Sequence, residues 1–208
     1  MKMKSYAELL AAWPPSGRHI LASYDDTSLV VYQAFKPSIA EFAAKHRRFG
    51  GEFNFHRMSW IKPNFLWMMF RSNWAQKPDQ ERILAITLRR AYFDELLAAA
   101  VPSSWSTQGL GSREEWHKAL EASDVRLQWD PDHDAAGKPL ARRAIQIGLR
   151  GQMLRRYATA EPLAITDITE TVATLRAFAG MPEALLLPYE RVYLPTLPAA
   201  RKAGMDGV

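Results

Sequence analysis

Apolar and polar positions alternate in two rhythms along this chain. Leu29-Val30-Val31-Tyr32-Gln33-Ala34-Phe35 is a β-branched and aromatic run that predicts a strand, as do Ile83-Leu84-Ala85-Ile86-Thr87-Leu88 and Ala144-Ile145-Gln146-Ile147-Gly148-Leu149. Val125 to Asp130 alternates with period two, the mark of a half-buried strand. His19 to Ala22 precedes the acidic pair Asp25-Asp26, which is expected to turn the chain into a hairpin with 29–35. Helical patterning predicts helices over 5–13 (stopped by Pro14-Pro15), 37–46, 63–74, 91–100, up to about 122, and 153–158. Ile165 to Ile168 is read as the approach to a last helix over 169–179, closed by Gly180. Residues 102–113 are expected to form a loop, 130–137 a turn, and the Pro-rich end an extended segment that frays after about 199.

Strands and helices mix without a strict βαβ alternation, which predicts an α+β fold around a mixed or antiparallel sheet. At 208 residues the chain fits a single domain spanning 1–208, with its core at about 18–195. Apolar residues make up 48% and charged residues 24%, an ordinary globular balance. With no cysteine, disulfides and thiolate metal sites are excluded. Glu8 and Pro14-Pro15 interrupt the apolar stretch near the start, so no signal peptide is read, and no run reaches the length of a membrane helix. The expected location is cytoplasmic. The net charge of +5 favours anionic partners, and arginine, the fork-shaped donor for phosphate, dominates the basic set.

Several signatures are missing: Gly-x-Gly-x-x-Gly, a Walker loop, Gly-x-Ser-x-Gly and His-Glu-x-x-His. Asp130-Pro131-Asp132-His133-Asp134 lacks calcium-loop spacing and reads as a turn, so no metal site is expected. The runs His46-Arg47-Arg48 and Arg89-Arg90 read first as solvated helix ends.

Arg57 to Trp74 is different in kind. Placing Pro63 in the first turn of a helix sets Trp67, Phe70, Arg71 and Trp74 on one side, either as core or as an aromatic platform with cations nearby. Ser59, Trp60 and Lys62 precede that helix, where open N–H groups receive anions. Gln33 and Gln146 are amides on apolar strands, and a buried amide needs a partner or a ligand. The segments 18–35, 55–75 and 142–151 are therefore expected to build one pocket for a nucleotide-like anion.

The strings Tyr24-Asp25-Asp26 with Val31 to Phe35, Arg57 to Trp74, Gln128-Trp129-Asp130-Pro131 and Ala144 to Gly151 resemble an uncharacterised domain family of bacteria and fungi over about 18–195. The order of elements also resembles small ADP-ribosyltransferase-like domains, whose split antiparallel sheet holds NAD in a central cleft. That resemblance implies an enzyme using NAD as substrate to modify a nucleic acid or protein. It puts Tyr32-Gln33 at the first motif, Ser59 or Trp60 at the second and Gln146 where the third-motif Glu is usual. An amide cannot supply negative charge, so Asp25 or Glu190 is the candidate carboxylate. The implied catalytic set is Gln33, Ser59, Gln146 and Glu190. The implied NAD-binding set is Arg18, Tyr24, Asp25, Tyr32, Arg57, Trp60, Lys62, Trp67 and Arg71. A binding module for a nucleotide or single-stranded nucleic acid is the alternative. A phosphodiester-processing enzyme using His19 or His56 is a third reading. Oligomeric state is not readable from the sequence.

Overall fold

The computed structural model describes residues 1–105 and 111–205; positions 106–110, within the loop expected over 102–113, and 206–208 lie outside the described residues. The chain opens with β1 (Met3–Ser5), α1 (Tyr6–Ala12), β2 (Gly17–Arg18), β3 (Leu21–Ala22), β4 (Ser28–Phe35) and α2 (Pro37–His46). There follow β5 (Ser59–Ile61), α3 (Phe65–Ser72), β6 (Arg82–Arg89), α4 (Arg90–Ala99), β7 (Val101–Pro102) and α5 (Arg113–Ala122). The remainder is β8 (Val125–His133), β9 (Pro139–Leu149), α6 (Gly151–Thr159), β10 (Pro162–Asp167), α7 (Thr169–Arg176), β11 (Leu186–Pro188), β12 (Arg191–Val192) and α8 (Leu197–Ala203). The fold is mixed α+β, and no helix among the described residues is long and apolar enough to cross a membrane.

Two sheet blocks meet at one point. In the first, β6 lies between β10 and β4, antiparallel to both. Its Ile83, Leu84, Ala85 and Ile86 are all buried, which explains the unbroken apolar run of a strand covered on both faces. In the second, the antiparallel pair β8 and β9 forms the spine. β7 adds to β8 in parallel, while β2 and β5 pair with the other edge of β9. The blocks join where Tyr32 and Lys62 exchange backbone bonds, N–H to O distances being 2.7 and 3.2 Å. A single bridge cannot hold two strands together along their length, so β4 and β5 part beyond it. The sheet is split there.

Four expectations are corrected. Residues 162–167 are strand β10, paired with β6, rather than a helix approach: Pro162 breaks α6, and the β-branched Ile165 and Thr166 match the pleat beside Ile86 and Ala85. Asp130 to His133 continues β8 instead of turning; the turn lies at 134–138, where Asp134 Oδ1 accepts from Ala136 and Lys138 N–H and Gly137 takes a φ of 82°. The chain end is helix α8, packed on α4 with Ala199, Ala200 and Ala203 buried, and not a frayed extension at 199. The helix predicted over 63–74 is shorter. Asn64 caps α3 by accepting the Trp67 N–H at 2.6 Å, and Asn73, Trp74 and Ala75 leave it with positive φ.

Candidate functional site

The split opens a cleft of about 950 Å³, within the size range of small-molecule sites. Its wall is assembled from distant pieces: the end of β4, the 52–60 segment, α3, the 78–80 loop, and the polar faces of β8 and β9. Gln33, Arg57, Ser59, Trp60, Lys62, Trp67, Arg71 and Gln146, all singled out in the sequence, line it together.

Gln33 is 3% exposed and committed at both ends of its amide. Its Nε2 donates to Ser59 Oγ (2.8 Å) and to Trp60 O (3.1 Å), and its Oε1 accepts from the Tyr157 hydroxyl (2.7 Å). The side chain thus replaces the ladder bonds that β4 and β5 no longer make, holding Ser59 and Trp60 in place. Trp60 lies against Gly148: a Cβ there would meet Met58 Sδ at 2.7 Å and the Trp60 ring at 3.0 Å, so a larger residue would displace the thioether and crowd the indole. Trp67 is 6% exposed and stacks on Phe70 (centroids 5.4 Å), which lies on His133 at 3.5 Å. One face of its indole is therefore taken, and Trp60 is the better platform for a ring.

The cleft also holds a carboxylate. Along β8, Gln128 and Asp130 share one face, and Gln128 sits directly across from Gln146 on β9. Gln128 Nε2 donates to Asp130 Oδ1 and Gln146 Nε2 to Asp130 Oδ2, each at 2.7 Å. Two amides from two strands fix the plane of one carboxylate at the cleft wall. In the sequence Asp130 stands both at the end of the period-two run from Val125 and at the start of the expected turn over 130–137. The missing fact was the cross-strand pairing.

Against that carboxylate stand three cations. Among the described residues no carboxylate lies within 4.0 Å of Arg57, Lys62 or Arg71. Lys62 is 5% exposed, and its Nζ makes one long hydrogen bond, 3.4 Å to Trp60 O. Burial, reinforced by the neighbouring Arg71 and only partly offset by Asp130, pulls its ammonium down to about 7.

A family profile, described as a domain of unknown function (DUF4291), matches residues 19–193. The chain belongs to this family. No curated protein matches it. The matched span of this DUF4291 domain contains every residue of the cleft wall.

The remaining candidates lie elsewhere in the DUF4291 fold. Arg18 pairs along β9 beside Arg143, away from the cleft lining. Tyr24 donates its hydroxyl to Val192 O and carries Arg191 on its ring at 4.2 Å. Asp25 caps its own turn, accepting from Thr27 and Ser28 N–H, and those bonds bring its carboxyl to about 2. Tyr32 is fully buried against Phe65, reaching the site only through its backbone. Glu190 is 2% exposed and accepts the Phe65 N–H at the start of α3 (2.7 Å), with burial pushing its carboxyl well up. Neither Asp25 nor Glu190 lines the cleft, and Asp130 does. Neither His19 nor His56 lines it.

Proposed function

We propose that this domain binds NAD in the cleft and transfers its ADP-ribose to a nucleic acid or protein acceptor, in the manner of ADP-ribosyltransferase-like domains. The observation that carries the reading is the convergence, where β4 and β5 part, of cations with no carboxylate partner among the described residues, an indole and one amide-clamped carboxylate. Arg57, Arg71 and Lys62 match the pyrophosphate, and Trp60 offers a face to a base or nicotinamide. Asp130 takes the part that the resemblance gave to a third-motif Glu. It accepts from a ribose hydroxyl and stabilises positive charge growing on the sugar as the bond from C1′ to the nicotinamide nitrogen breaks. The nicotinamide leaves with the bonding electron pair, the acceptor oxygen or nitrogen bonds to C1′, and the acceptor's proton passes to solvent. Gln128 and Gln146 position Asp130; Gln33 positions Ser59 and Trp60.

One observation favours a binding module without turnover: both oxygens of Asp130 already accept an amide donor, so the carboxylate is held as much as it is offered. Incubation with NAD and either nucleic acid or protein, with nicotinamide release as readout, separates the two. Release that requires an acceptor supports transfer. ADP-ribose binding without release supports the module, and absence of both overturns the nucleotide reading.

A further inference from the structure

We propose that Lys62 Nζ is the seat for an anionic oxygen of the ligand, and that the cleft takes up one proton when a pyrophosphate-bearing ligand binds. This rests on the reading of the cleft as a nucleotide site and deepens it by assigning the residue that senses the ligand's charge.

A buried ammonium normally ends on a carboxylate, because an isolated charge out of water is costly. Lys62 has three N–H bonds to place and one acceptor at 3.4 Å, from a carbonyl two residues away. Asp130 does not serve as its ion-pair partner: each of its oxygens accepts a Gln amide, and neither is within 4.0 Å of Nζ. The backbone of Lys62 is pinned by the Tyr32 bridge, so the side chain is anchored at the point where the sheet parts. A buried ammonium held there with one long bond to a carbonyl, on the wall of an open cleft, has N–H bonds left to give to an anion that the protein does not itself supply.

The groups around Lys62 set the sign. Arg71 from α3 disfavours its charged form and Asp130 from β8 favours it, while burial outweighs both and brings it to about 7. Arg57, from the segment before β5, adds a further positive charge to the same cleft. At the rim Glu52 is already engaged by Lys36 and Ser38, and Asp79 sits on the 78–80 loop. Near neutral pH the empty cleft therefore holds Lys62 partly uncharged, and a bound anion restores its proton.

ADP-ribose is the probe, because its pyrophosphate diester keeps a constant charge between pH 6 and 9 (the interval to be scanned), so a pH effect over that range reports the protein. Calorimetry in buffers of differing ionisation enthalpy should show uptake of close to one proton per ligand at about pH 8. Affinity should fall about tenfold per pH unit above pH 7 until the liganded lysine itself titrates. In Lys62→Arg, which stays charged, the affinity should be flat with pH. In Lys62→Met it should be flat and at least about tenfold weaker. Ligand-free Lys62→Met should also resist urea better than wild type at pH 6. The folded-state value of Lys62 lies below its unfolded value, so its burial costs stability at low pH and the cost fades as pH rises towards 10.5. Wild-type ADP-ribose affinity that ignores pH, or that Lys62→Met leaves unchanged, overturns the role of Lys62 while leaving the nucleotide cleft standing. Failure of ADP-ribose to bind at any pH overturns both.

Discussion

Two charged regions of the molecule use the same residue types to opposite ends. Around Glu161, which is 3% exposed, every charge has a partner. Arg89 and Arg156 both grip its carboxylate, and Arg156 reaches on to Glu95. That network ties the start of β10 to α4, α6 and the end of β6. In the cleft, Arg57, Lys62 and Arg71 have no carboxylate within 4.0 Å among the described residues, and the one central acid, Asp130, is held by neutral amides. Arg57 and Arg71 are exposed and water can solvate them, whereas Lys62 is 5% exposed and carries the cost of an unpaired buried charge. On the proposed reading, a ligand completes the cluster left uncompensated where β4 and β5 part.

The largest effect should come from the acid at the centre of the second region. Asp130→Asn keeps the size of the side chain and removes its charge, and one of the two glutamines must turn its amide oxygen towards the new NH2 group. Turnover of NAD, measured as nicotinamide release, should fall by about 100-fold or more, with ADP-ribose affinity and urea midpoint near wild type. Unchanged turnover would remove Asp130 from the chemistry.

Next comes the contrast between regions itself. Glu161→Ala leaves Arg89 and Arg156 facing a buried gap. It should cost roughly 2 kcal/mol in urea unfolding, less than a fully buried pair because both arginines are half-exposed and re-solvate. Arg71→Ala should shift stability by less than about 0.5 kcal/mol yet weaken ADP-ribose binding and flatten its salt dependence. Equal stability losses in the two variants would erase the distinction between a structural and a binding network.

Much of this architecture was legible in the sequence, and the gaps have physical causes. The β4 and β6 strands and helices α2 and α4 announced themselves through composition and period, because each buries a continuous face. β10 did not: with Leu163 half-exposed and Asp167 at its end, its six residues carry too little alternation to be told from a helix entry. The three-residue β5 was invisible for the same reason, although it positions Ser59 and Trp60. Gln33 and Gln146 drew notice as amides in apolar strands, and Arg57 and Lys62 as cations of the tryptophan-rich stretch. Asp130 escaped because Asp-Pro suggests a turn, and only the register that sets Gln128 opposite Gln146 reveals what the carboxylate faces. Arg18, Tyr24 and Asp25 entered the expected site through the resemblance, which needed a pyrophosphate clamp and a carboxylate. Arg18 instead lies on β2 beside β9, and Tyr24 and Asp25 follow β3, which pairs with β12, so none of the three lines the cleft.

A smaller effect tests the platform beside the cations. In Gly148→Ala the new methyl would sit 2.7 Å from Met58 Sδ and 3.0 Å from the Trp60 ring, so the indole must move. Binding of ADP-ribose should weaken about tenfold, and tryptophan fluorescence should report a more solvated ring, with stability lowered by roughly 1–2 kcal/mol. Unaltered fluorescence and affinity would show that Trp60 is not part of the ligand surface.

The smallest effect is expected at Glu190, which the resemblance offered, with Asp25, as the candidate carboxylate. Its carboxyl lies above the ordinary range because it is buried, with Asp132 adding to the shift and the Phe65 N–H opposing it. A raised folded-state value means that the native protein holds this proton more tightly than the unfolded chain. Its contribution to stability is full below pH 4.5 and is lost as pH rises through the folded value. Glu190→Gln keeps an oxygen for the Phe65 N–H and has no charge to bury, so at pH 8 it should match or exceed wild type in urea midpoint. Nicotinamide release should stay within about twofold of wild type, since an acid that never meets the ligand has no transition-state charge to lose. If Glu190→Gln instead abolishes release while the fold persists, the carboxylate of the reaction is the one beneath α3, and the division drawn between the two acids is inverted.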